Sequence, residues 1–115
     1  MMRAWQEAPP REFDTYYLVL LTSGGNTDID PDRKQKAFMG HQAHMLRCYE
    51  AGELLTPAPV EGSGELDVRG ILIYRGDLGE ARISEILAND PMIREGVLAA
   101  RVTRMHTPKG IIAWK

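Results

Sequence analysis

Cysteine occurs once in these 115 residues, at Cys48. A single cysteine excludes an intramolecular disulfide and any CxxC metal knuckle. No apolar run approaches the ~20 residues of a membrane-spanning helix. The first fourteen residues carry Arg3, Glu7, Arg11 and Glu12 around Pro9-Pro10, without the continuous apolar stretch of a signal peptide. Charge of one sign is also scarce. A net charge of −2 offers no basic footprint for nucleic acid and none for an anionic membrane. The expectation is a cytoplasmic protein of one domain, with neither nucleic acid nor membrane as a partner.

What is present is a set of short apolar strands. Tyr16-Tyr17-Leu18-Val19-Leu20-Leu21 is apolar at alternate and intervening positions alike, so both faces of that strand are greasy. Arg69-Gly70-Ile71-Leu72-Ile73-Tyr74 repeats this over its second half. Only two helices of useful length can be read, enough to cover one face of a small sheet. A second copy of the chain is the simplest cover for the other face, and a homodimer is expected.

Turn and cap signals set the order of elements. Strand one spans residues 15–22. Asp30-Pro31 forms an N-cap and first-turn pair, opening a helix over 31–51 that Gly52 stops. Leu54-Leu55-Thr56 starts a second strand, which Pro57 and Pro59 confine to an edge or an early end. Gly62-Ser63-Gly64 marks a flexible turn into strand three, 68–75. Asp77-x-x-Glu80 reads as a capping box for a second helix over 78–89, with Ile83, Ile86 and Leu87 as its apolar stripe. Asn89-Asp90-Pro91 breaks that helix, a short turn ends at Gly96, and a last strand covers 99–106. The fold class is α+β: βαββαβ, an antiparallel sheet with helices on one face, as in ferredoxin-like proteins. Residues 1–13 form an N-terminal extension, 14–107 the domain, and 108–115 an apolar tail ending around Trp114.

Helix one carries two histidines. At ~100° per residue from Phe38, Met45 and Tyr49 lie within about 20° of Phe38, Cys48 falls near 280°, His41 near 300° and His44 near 240°. Taking Phe38, Met45, Tyr49 and Cys48 as the buried stripe, His41 looks inward at its rim and His44 looks towards water. Geometry alone favours His41 as a core-edge histidine satisfied by a backbone carbonyl over the functional reading, a general acid/base. Asp90 is an N-cap with proline behind it, and its second oxygen is free to orient a nearby imidazole. Competing sites are weaker. Asp28-Ile29-Asp30-Pro31-Asp32 opens like a calcium loop, but Arg33 and Met39 stand where glycine and glutamate belong. His41-x-x-His44 has no evident third ligand, Gly62-Ser63-Gly64 lacks a strand-to-helix context, Cys48 reads as packing and His106 as structural.

Four features in order make the chain resemble the YciI-like (YCII-related) family of small dimeric α/β-barrel proteins. They are the strand Tyr17–Leu21; His41, with Gly52 of Ala51-Gly52-Glu53-Leu54-Leu55 eleven residues on; a loop ending at Pro59; and Asn89-Asp90-Pro91 with Gly96. The resemblance covers residues 16–106. It implies a ferredoxin-like dimeric barrel, small cyclic or aromatic-derived ligands, and a His–Asp dyad that maps onto His41 and Asp90. Members commonly have Gly-Pro after the second strand where this chain has Ala58-Pro59. The expected function is proton transfer, by isomerisation or elimination, on a small organic molecule. His41 and Asp90 would carry it, Phe38, Met45 and Tyr17 would line the pocket, and no metal or cofactor is called for. The alternative is a non-catalytic module binding a small molecule through the same pocket.

Overall fold

β1 (Phe13–Ser23) and β3 (Gly70–Arg75) form the centre of the sheet in the computed structural model, which describes residues 11–61 and 65–112. Most of the N-terminal extension, the Gly62-Ser63-Gly64 turn and Trp114 lie outside the described residues. β1 pairs antiparallel with β3 (Val19 opposite Leu72) and with β4, Leu98–Pro108 (Val19 opposite Val102). β2 (Leu54–Pro59) pairs antiparallel with β3, giving the order β2-β3-β1-β4 of a ferredoxin-like sheet. Pro57 and Pro59 do not end β2 early. As an edge strand it has no second neighbour needing their missing N–H groups, and the register shift between Leu54 and Thr56 absorbs the irregularity.

Alternation sorts the side chains of β1 from Tyr17 onwards, while Tyr16, on the opposite face, is also buried, its hydroxyl donating to the Ile112 carbonyl. Tyr17, Val19 and Leu21 are buried with Leu54, Leu72 and Tyr74, beneath Cys48, Ile83 and Ile86 of the helices. Leu18 and Leu20 point the other way, opposite Ile73 and Ile71, and stay only half-buried. The helices therefore cover one face of the sheet, and the second face carries an apolar strip, Leu18, Leu20, Ile71 and Ile73, that no helix among the described residues covers.

α1 (Pro31–Glu50) begins where Asp30 accepts a hydrogen bond from the Arg33 N–H. It ends in a Schellman motif, with the Glu53 N–H donating to the Cys48 carbonyl and Gly52 at φ 77°. α2 (Glu80–Ala88) starts later than the capping-box reading requires. Asp77 is taken by Arg75, which donates to both its carboxylate oxygens at 3.0 and 2.6 Å, and Gly79 caps the helix without a side-chain bond. A local ion pair thus displaced the cap. α3 (Pro91–Arg94) is a single turn capped by Asp90.

Candidate active site

α1 meets α3 closely because Gly40 has no side chain. A Cβ at Gly40 would lie 2.8 Å from Cγ of Pro91, too near for real atoms. This approach sets the next residue along, His41, beside the residue before Pro91, Asp90. His41 Nδ1–H donates to Asp90 Oδ2 across 2.6 Å, and both side chains are buried, at 7% and 2% exposure. The other carboxylate oxygen, Oδ1, accepts the Met92 N–H at 2.9 Å. Capping therefore fixes the carboxylate, and the carboxylate fixes the imidazole. With Nδ1 occupied, Nε2 is the ring nitrogen left without a protein partner among the described residues.

His41 also lines a cavity of about 640 Å³ between α1, the inner face of the sheet and the loop after β1. Leu21, Leu72, Met92 and Leu98 make much of its apolar wall, and Phe38 and Met45 line it from α1. The β1–α1 loop is pinned against the end of α3: the Asn26 amide donates to the Glu95 carbonyl at 2.7 Å, and Arg33 pairs with the Glu95 carboxylate. Gly24 sits so close to Gly96 that a Cβ would meet its carbonyl oxygen.

Three expectations about these residues need correcting. His44 does not look towards water. It is buried at 8% exposure, and its Nε2–H donates to the Ile86 carbonyl at 2.8 Å. The backbone-satisfied core histidine of α1 is His44. The packed stripe of α1 is Ala37, His41, His44 and Cys48, while Phe38 and Tyr49 are 42% and 55% exposed. Phe38 and Met45 line the cavity and Tyr49 faces solvent; the small and polar side chains make the helix-to-core contact. Tyr17, finally, is buried in the core but belongs to a second, smaller recess with Arg104, whose guanidinium donates to the Tyr17 hydroxyl at 2.8 Å. It does not line the His41 cavity.

His41 sits on the boundary of two faces of α1, its Nδ1 edge among packed atoms and the helix's cavity face beside it. Lys34, Phe38, His41 and Met45, spaced four, three and four residues apart, share that cavity face. The spacing would have found Lys34 from the sequence. Gln42, four residues after Phe38, reaches the same cavity from α1 and carries the same spacing signal, whereas Asn26 and Arg69 come from separate segments and carry none. Cys48 stays out of it; burial, and then the charge of Glu53, push its thiol up, so it serves as packing. No three His, Cys, Asp or Glu side chains among the described residues converge as a metal-binding group.

The two histidines should separate in a stability measurement. His44→Ala removes a buried hydrogen bond and leaves a hole against α2, which costs about 2–3 kcal/mol. A Tm fall on the order of 10 °C in a thermal melt is expected. An unchanged Tm would contradict the buried bond.

No family model and no curated protein matches the sequence. Eight chains of solved structures do match. One is 5-chloro-2-hydroxyhydroquinone dehydrochlorinase (TftG) from Burkholderia phenoliruptrix AC1100, in complex with 2,5-dihydroxybenzoquinone. It is 16% identical, with a TM-score of 0.48, over 87% of this chain and 93% of that one. A likeness at that level carries nothing about activity, and the site stands on its own residues. No helix among the described residues is long and apolar enough to cross a membrane.

Proposed function

We propose that this protein is a small acid/base enzyme in which His41 moves a proton on a small carbonyl- or hydroxyl-bearing molecule held in the cavity. The observation that supports the reading is the 2.6 Å bond from His41 Nδ1 to a carboxylate whose other oxygen is already committed to a backbone N–H. Such a carboxylate cannot swing into the cavity and act on substrate. It serves as a positioning residue, holding the tautomer that leaves the Nε2 lone pair available. Nε2 takes a proton from a substrate C–H or O–H, the Nδ1–H stays on Asp90, and the transient imidazolium sits beside the negative charge that stabilises it. Return of the proton from Nε2 to another substrate atom completes an isomerisation; delivery to a departing group completes an elimination. The apolar wall keeps bulk water from competing for that proton.

The test is a screen of small carbonyl and hydroxyl compounds in deuterated water. Deuterium uptake, catalysed by the wild type and insensitive to a metal chelator, is the expected result. Uptake equal in His41→Ala, or abolished by the chelator, would contradict the reading.

The same proposal includes a cytoplasmic homodimer, built by covering the outer face of the sheet with a second copy. Leu18, Leu20, Ile71 and Ile73 support it: they are cross-strand neighbours on that face and half-buried within one chain. Light scattering across a concentration series should give twice the chain mass throughout the micromolar range. A stable, cooperatively folding monomer there would contradict it.

A further inference from the structure

The charged side chains around the cavity are all of one sign. The chain has more carboxylates than cations, 16 Asp and Glu against 14 Lys and Arg, yet the cavity is lined by Lys34 and Arg69 and by no carboxylate among the described residues. The two cations come from different elements, Lys34 near the start of α1 and Arg69 just before β3, and both line the cavity. Arg69 is partly committed: it donates to the Ser23 hydroxyl at 3.0 and 3.2 Å, with Asp67 3.4 Å away. Lys34 makes no ion pair among the described residues, whereas its neighbour Arg33 is spent on Glu95. Lys34 is therefore the cation with charge to offer.

Distance then limits what fits. Lys34 and His41 are seven residues apart on one face of α1, about 10 Å along the helix axis. Phe38 and Met45 line the apolar cavity from the same helix. We propose that the cavity takes small organic anions, with a carboxylate held at Lys34, Arg69 adding to the positive field, and an apolar body of single-ring size lying along Phe38 towards His41. The ligand class follows from the pairing of one positive end with apolar walls; a cationic or strongly polar molecule would desolvate its charge there without a partner. This deepens the acid/base proposal and rests on His41 as the reacting group at the other end of the ligand.

Benzoate, benzyl alcohol and benzylamine are probes of one size and three charge states. Titrated into ¹⁵N-labelled protein, benzoate should perturb the amides of Phe38, Met45, Gly70 and Leu72, with the alcohol weaker and the amine weakest. Lys34→Gln, an exposed change that leaves the fold alone, should weaken benzoate about 3–10-fold without weakening benzyl alcohol, and Lys34→Glu should weaken it further. Added salt should weaken benzoate in the wild type and much less in Lys34→Gln. Equal binding of the three probes, no binding of benzoate, or unchanged benzoate affinity in both Lys34 variants overturns the proposal. His41→Ala separates it from the acid/base reading. Benzoate binding retained there, with no deuterium uptake found in the wild type for any compound, leaves the anion site standing and removes the chemistry. Uptake into neutral compounds with no benzoate preference does the reverse.

Discussion

His41→Ala should lower the rate of proton transfer about 10²–10⁴-fold, the usual loss when a general base is removed. The variant also strips Asp90 Oδ2 of its donor. The stability cost is about 1–3 kcal/mol, and water entering from the adjoining cavity limits it. The chain should still fold, which circular dichroism checks. Asp90→Asn makes the sharper test. Its amide oxygen can still cap α3 at the Met92 N–H, so stability changes little. Its amide nitrogen, however, faces His41 Nδ1 and asks that atom to accept rather than donate. The ring proton then moves to Nε2 and the lone pair needed for catalysis is lost. A rate loss comparable to that of His41→Ala, with near-normal Tm, is expected. A rate in Asp90→Asn equal to the wild type would show that the carboxylate only caps the helix.

Gly40→Ala should lower the same rate about 10–10²-fold, although it touches neither partner of the dyad. Alanine is favoured over glycine in a helix interior by about 1 kcal/mol, so propensity alone predicts a more stable protein. The new methyl, though, would stand 2.8 Å from Pro91 Cγ and 3.3 Å from its Cβ, on a ring that cannot rotate aside. α1 and α3 must part by a few tenths of an ångström or more, and Asp90 moves with Pro91. Displacements approaching 1 Å at a reacting group can cost about 10²-fold. The expected pattern is a slower enzyme with no gain in Tm. A more stable Gly40→Ala with full activity would mean that the close approach does not position the dyad.

Much of the fold was legible because turn chemistry is local. Asp30-Pro31, Gly52 and Asp90-Pro91 each mark a helix end where the structure has one. The alternation of Tyr17, Val19 and Leu21 with Leu18 and Leu20 shows which strand has two apolar faces. The pairing of His41 with Asp90 was legible only through the family resemblance, since nothing local says that residues 49 apart in sequence will meet. The failures have a common physical origin. The face of α1 was centred on its bulky residues, Phe38, Met45 and Tyr49, because large apolar side chains are usually buried. A helix that walls a cavity breaks that rule: Phe38 and Met45 line the open space, Tyr49 faces solvent, and Ala37, His44 and Cys48 do the packing. That misplacement sent His44 to solvent and hid Gly40, whose meaning depends on Pro91 of another segment. The Asp77 cap failed in the same way, outcompeted by an arginine two residues upstream.

The central claim is that Asp90 holds His41 in the tautomer that presents a bare Nε2 to the cavity. Long-range ¹H–¹⁵N correlation of the imidazole rings reads this directly in the uncharged form of each histidine. His41 should show its proton on Nδ1 and none on Nε2, while His44, donating from Nε2 to the Ile86 carbonyl, should show the opposite. In Asp90→Asn the His41 pattern should reverse and that of His44 should stay. A proton on His41 Nε2 in the wild type, or a His41 tautomer indifferent to Asp90→Asn, would contradict the account.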